Sequence, residues 1–240
     1  MDPKAKCVLL RGLPQRTTND CGLVAVAAVL SRGFPAQEPN VILTSVSNRA
    51  RQLFGEASDV RCMWTVELAL LLTEISPPCT MKLQFFTQVV GVNKDHKQLE
   101  FYSSVDAEEE EAVNACFAAL QHRCVPVEEK VLPMDYIVNM VEAGRDIFIV
   151  LVNKLLLRHS GVLHCLGRCA SYCRRGVLPY VGHFVVVVGC SRREGTVYIW
   201  DPDHKHDGAS PIVPMSTADF DAARRSRGTD CDTIQITLCV

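Results

Sequence analysis

The sequence predicts an α+β protein in which residues 1–240 form one domain. Apolar residues recur at helical spacing in some segments and gather into short continuous runs of strand length in others. No internal repeat, linker or low-complexity stretch divides the chain. At 240 residues, 48% hydrophobic and 22% charged, it is long enough to bury a sizeable core without disulfides or a structural metal.

Residues 1–14 form a short lead-in, and Gln15 to Cys21 is polar and turn-like. Gly22 to Leu30 is rich in Ala and Leu and apolar all round, which predicts a buried helix with Asn19 or Asp20 as N-cap, ended by Gly33 and Pro35. Residues 34–62 scatter charge among short apolar groups and are assigned to a loop and a helix. Trp64 to Ile75 is apolar at helical spacing until Pro77-Pro78 stops it, and Thr80 to Val92, rich in Phe, Val and Leu, reads as a strand. The acidic run Glu108 to Glu111 suits the positive end of a helix reaching to about Gln121. Met134 to Glu142 is a short helix closed by Gly144, and the strand Ile147 to Val152 follows. Residues 154–180 carry Arg, His and Cys in irregular order, a Cys/His-rich insertion. Two strand-like runs, His183 to Val188 and Thr196 to Trp200, precede a helix at Thr217 to Arg224 and a last strand at Asp232 to Leu238.

Composition removes several classes. With 27 acidic against 25 basic side chains the formal net charge is -2, and no basic run exceeds two adjacent Arg, so no nucleic-acid partner is expected. Met1 to Lys6 leads into the short apolar stretch Cys7 to Leu10 before Arg11, which is not a secretory signal. Twelve cysteines fall below the roughly 8–10% of a disulfide scaffold, so free thiols in a reducing, cytoplasmic compartment are expected. The longest apolar runs, Ile147 to Val152 and Phe184 to Val188, fall far short of the roughly 20 residues that span a bilayer, so no membrane partner is expected. Oligomeric state is not legible.

Cys21 stands at the expected start of the buried helix. Unpaired backbone N–H groups and the positive helix end favour thiolate there, and thiolate is the nucleophilic form. Gly22 is expected to leave room beside the sulfur for a substrate, and Gln15 to bring its amide beside the Cys21 N–H as a two-donor oxyanion hole. A buried free Cys alone is more often structural. What raises the catalytic reading is a base and its orienter: His183 opens one strand and Asp201 closes the next. A three-residue hairpin loop flanked by Cys190 and Glu194 would oppose His183 to Asp201, Val185 to Ile199 and Val187 to Val197. Opposed side chains have Cβ atoms about 4.5–5.5 Å apart, close enough for a carboxylate to hold an imidazole in one tautomer.

Gln15-Arg16-Thr17-Thr18-Asn19-Asp20-Cys21-Gly22, Gly182-His183-Phe184-Val185-Val186 and Asp201-Pro202 resemble the motifs of papain-like bacteriocin-leader peptidases. Ile149 to Asn153, Leu163-His164-Cys165, Tyr180 to Phe184, Phe220 to Arg224 and Gly228-Thr229-Asp230 resemble the eukaryotic guanylyl cyclase domain-containing protein family. The resemblance implies a papain-like fold, a helical part carrying the Cys and an antiparallel sheet carrying His and Asp. It implies oxyanion donor, nucleophile, base and orienter at Gln15, Cys21, His183 and Asp201.

Three functional readings follow. The first is a papain-like thiol hydrolase acting on a peptide or protein substrate, at a peptide, isopeptide or other amide bond, without a cofactor. The second, from the family's name, is a guanylate cyclase making cyclic GMP from GTP with magnesium or manganese. For it, Asp201 and Asp203 are the candidate metal carboxylates and Arg192, Arg193, Arg224 and Arg225 the candidate phosphate contacts, although no P-loop or glycine-rich cradle is present. The third is a papain-like interaction domain without turnover. His159, His164, Cys165, Cys169 and Cys173 crowd into the insertion, where zinc is the minority expectation, because Cys-x3-Cys-x3-Cys is not the tight knuckle of the strong zinc patterns.

Overall fold

Helices cover both faces of one seven-stranded sheet, which is why its central strands read as unbroken apolar runs. The structure is a computed structural model and describes residues 8, 10–56, 61–77, 79–96, 98–99, 102–157, 180–204 and 212–239. The strands are β1 (Met81–Thr87), β2 (Val127–Glu129), β3 (Asp146–Asn153), β4 (Gly182–Ser191), β5 (Thr196–Trp200), β6 (Ile212–Ser216) and β7 (Thr233–Leu238). They lie in the order β2-β1-β7-β3-β4-β5-β6, with β1 and β2 parallel and every other neighbouring pair antiparallel. Among the described residues the helices are α1 (Cys21–Leu30), α2 (Pro39–Phe54), α3 (Thr65–Ile75), α4 (Ala107–His122), α5 (Met134–Glu142) and α6 (Thr217–Arg224).

The pleat sorts the core. Ile147, Ile149 and Leu151 of β3, with Phe184, Val186 and Val188 of β4, join the cluster under α1 to α4. Phe148, Val150 and Val152, with Val185 and Val187, join the cluster under α5 and α6. Alternate residues thus face opposite helical layers, as period-two geometry requires. This is the α+β arrangement that the motifs imply, a buried helix carrying the Cys against a mostly antiparallel sheet that carries His183 and leads into Asp201.

α1 is buried along its whole length, packed on α2, α3 and β4, so no polar face is needed. Asp20 occupies its N-cap, but its carboxylate accepts from the N–H groups of Arg16 and Thr17, not from the helix. It folds the preceding turn back on itself. In the segment assigned only to a loop and a helix, α2 starts with Pro39, whose fixed φ suits the first helical position, and buries Ile42, Leu43, Val46 and Ala50. β1 stops at Thr87, short of Val92, because the Thr87 hydroxyl donates to the Val89 carbonyl and turns the chain.

The β4–β5 hairpin differs from the expected register. Ser191 pairs with Thr196, the turn runs through Arg192–Glu194 and a left-handed Gly195, and an irregularity between Val187 and Gly189 shifts the ladder. Val187 therefore faces Ile199, not Val197. Toward the strand ends the offset is two residues, so the same side chains keep the same face. Continued outward, the register sets Asp201 beside Val185, diagonal to His183.

A tight turn before β7 frames the far side of the helical layer. Thr229 Oγ1 donates to the Arg224 carbonyl and accepts from the Cys231 N–H, while the Tyr102 hydroxyl donates to the Gly228 carbonyl. Gly228 has φ +101°, and a Cβ there would sit 2.7 Å from Cγ of Tyr180. Gly228→Ala is expected to cost about 2–4 kcal/mol through left-handed strain and overpacking. Urea unfolding checks it: the midpoint falls at unchanged slope.

Candidate active site

Cys21 is the first residue of α1, at the only point where this apolar helix can offer free backbone N–H groups. Its thiol shares a hydrogen bond with the His183 ring. His183 lies one residue into β4, and its Nε2 is 2.7 Å from Asp201 Oδ1, just beyond the end of β5. That leaves Nδ1 for the sulfur. The diagonal register is bridged by the side chains, and the Asp203 N–H donates to the same oxygen, Asp201 Oδ1, at 2.9 Å, which helps to fix the carboxylate.

The pair is nearly dry, His183 being 2% and Asp201 1% exposed. Burial disfavours the imidazolium, but the bonds to Asp201 and Cys21 and the negative charge of both outweigh it, raising the His183 pKa from 6.5 to about 9.

Gln15 is tied to the same corner by its backbone, the N–H donating to the Pro202 carbonyl at 2.7 Å, and its side-chain Oε1 is buried without a partner. Gly22 does not open space for a substrate: a Cβ there would stand 3.0 Å from Leu68 Cδ1 and 3.1 Å from Phe184 Cδ2. The glycine is required by close packing of α1. Open space lies on the other side of the sulfur, in a cavity of about 330 Å³ that reaches from Cys21 and Asn19 past Cys62 and Trp64 to Tyr102, Tyr180, Asp230 and Asp232.

The cyclase candidates do not assemble. Asp201 is engaged with His183, and Asp203 pairs with Lys154 at 2.7 Å. Arg224 is fully buried, its Nη2 donating to the Leu132 carbonyl and pairing with Asp221, which also meets Arg225. Arg192 meets Glu142 and Asn139 on the exterior. The zinc candidates His159, His164, Cys165, Cys169 and Cys173 lie outside the described residues. Sequence reasoning did not single out Cys62, Tyr102 or Asp232 as site residues. Cys62 is pushed up by burial and by the nearby Cys21, and its thiol donates to Asn19 Oδ1.

A family model described as guanylylate cyclase matches residues 10–236. Among solved structures, a Bacillus anthracis protein described as C39-like peptidase superposes with a TM-score of 0.47 at 12% identity, over 95% of this chain and 94% of that one. No helix among the described residues is long and apolar enough to cross a membrane.

A ring whose pKa rises from 6.5 to about 9 on folding adds stability that is fully present below pH 6.5 and lost as pH climbs through 9. Asp201→Asn removes a main cause of that rise. Urea unfolding across this window is expected to show wild-type stability falling with pH and a much flatter curve in the variant; parallel curves would mean the pair is not charged.

Proposed function

We propose that this chain, which belongs to the guanylylate cyclase family, is a thiol hydrolase that cleaves a peptide, isopeptide or other amide bond. The observation that carries this reading is a buried imidazole, 2.7 Å from a carboxylate oxygen, whose proton is favoured by that carboxylate and by the thiol at the tip of α1. An imidazolium facing the sulfur stabilises negative charge on it, and the helix end adds to that field.

The chemistry needs four groups. Cys21 sulfur attacks the acyl carbon, the carbonyl electrons move to oxygen, and the Cys21 N–H with the Gln15 amide receives the oxyanion. His183 gives its proton to the departing nitrogen, and the C–N bond breaks to leave a thioester. The same ring then takes a proton from water, whose oxygen attacks the thioester, and the C–S bond breaks to release acid and thiolate. Asp201 holds the ring in place throughout. No metal or organic cofactor enters these steps, and the partner is a peptide or protein substrate.

GTP cyclisation with magnesium or manganese is favoured by the family's description and by no cluster of groups in the described residues. It predicts cyclic GMP formation that survives Cys21→Ala. An interaction domain without turnover predicts neither cyclic GMP nor a reactive Cys21.

Labelling with iodoacetamide at neutral pH separates these readings. Cys21, though buried, is expected to react faster than the exposed Cys79, Cys124 and Cys239, and His183→Ala to slow it by at least about a hundredfold. Uniform labelling that tracks exposure would contradict the hydrolase. Amide turnover is expected to fall as pH rises through about 9, where the ring loses the proton it must donate.

A further inference from the structure

The cavity beside Cys21 holds polar groups that the hydrolytic steps do not use. Its far wall is the turn before β7, where Asp230 and Cys231 both take left-handed backbone, φ +48° and +54°, and so set the Asp230 and Asp232 carboxyls beside the cavity. Asp230 is satisfied within the protein: its Oδ1 accepts from Asn93 Nδ2 at 2.6 Å and lies 3.3 Å from His96 Nδ1. Asp232 is not, since its Oδ1 is sealed from bulk water and has no hydrogen-bond partner. The Thr65 hydroxyl at the start of α3, 2% exposed and also part of the wall, faces that carboxyl. A buried carboxyl met only by hydroxyls and by a second carboxyl is costly to ionise unless a cation joins it.

The charge balance says what kind of group fits. Among the described residues, Asp230, Asp232 and Glu109 line the space, and Arg61 is the one Lys or Arg that does. Arg61 is already committed to Glu67 through both of its terminal nitrogens, and Glu67 is anchored in turn by accepting from the Trp64 N–H at 2.8 Å. Tyr102 and Tyr180 stack with ring centroids 5.8 Å apart, and an aromatic wall beside carboxylates suits a cation with an alkyl stem. A triphosphate would meet like charge here.

Resting on the hydrolase reading, we propose that this cavity is the specificity pocket of the enzyme and takes a cationic group of the substrate, an amine or guanidinium on an extended arm, bound by Asp232 with the Thr65 hydroxyl. Asp232 is held up at about 7 first by burial and then by the negative charge of Asp230, while the Thr65 and Thr87 hydroxyls pull it down. Among the described residues, the titratable groups facing it are Asp230 and Cys231 on its own turn and the two tyrosines, all of them neutral or negative. An arriving cation favours the ionised carboxyl and releases its proton.

The test uses the full chain and a series of chloroacetamides on alkyl arms of increasing length, ending either in ammonium or in methyl, with Cys21 labelling followed by intact mass and peptide mapping. At one arm length the ammonium reagent is expected to react about ten- to a hundredfold faster than its methyl counterpart, the worth of one charge-assisted hydrogen bond, and Asp232→Asn to abolish the difference. Thr65→Val, which keeps the shape, is expected to reduce it. Equal rates at every length, or a preference untouched by both substitutions, would overturn the pocket while a fast Cys21 left the hydrolase standing. If Cys21 instead labels no faster than the exposed thiols, the hydrolase reading fails and the pocket is read by binding. A simple alkylammonium is then expected to raise the unfolding temperature of wild type more than the matching alkanol, and Asp232→Asn to lose that excess; no excess in wild type would overturn the pocket on its own.

Discussion

Burial alone would strip the proton from His183, and everything chemical in this molecule depends on the two partners that keep it there. A half-open imidazole would titrate near its ordinary value and add little to a neighbouring thiol. Enclosed between Asp201 and Cys21, the ring has its charged form favoured in a region where water screens weakly, and each of its interactions is worth more than at the surface. The cost of desolvation and the gain from pairing are both large, so the site tolerates little displacement. Loss of either partner leaves an uncompensated group in a dry interior.

The surrounding fold is arranged to prevent that displacement. α1 is apolar on every side and packed between neighbours, so Cys21 cannot shift without moving the core, and Gly22 lets the helix approach Leu68 and Phe184 closely. β4 sits near the middle of the sheet with cover on both faces. The bond from the Gln15 N–H to the Pro202 carbonyl joins the lead-in of α1 to the corner after Asp201, so the segments that carry Cys21 and Asp201 share one backbone link. The family takes its description from nucleotide cyclisation, yet the groups brought together are a thiol, an imidazole and a carboxylate, and the described residues lining the space beside them carry three carboxyls against one guanidinium.

Much of this could be read from the residues in order. Helices such as Thr217 to Arg224 and the unbroken runs of β3 and β4 are strong local patterns, and Cys21, His183 and Asp201 stood out because each falls at the end of a recognisable element. What escaped reading lacks a local pattern. β6 is five residues with Pro214 inside, tolerated because it pairs only at the sheet edge, and β2 is three residues long. The hairpin register was missed because an irregularity near Val188 cannot be seen in a string of valines. Gly22 was misread because a close approach looks the same in sequence as an opening. The cavity wall joins Thr65, Tyr102, Tyr180 and Asp232, whose neighbourhood exists only after folding. Its one visible trace was Gly228-Thr229-Asp230, a family match without an evident task.

The central claim is that sulfur and imidazole meet and that their contact sustains the charge on the ring. Proton–carbon NMR of the His183 ring, titrated in wild type and in Cys21→Ala, tests it most directly. The account predicts a titration near 9 in wild type that moves downward in the variant, since the sulfur is one of the groups that hold the proton in place. A ring that titrates identically with and without the sulfur would show that the two do not interact, and the catalytic centre we propose would not exist.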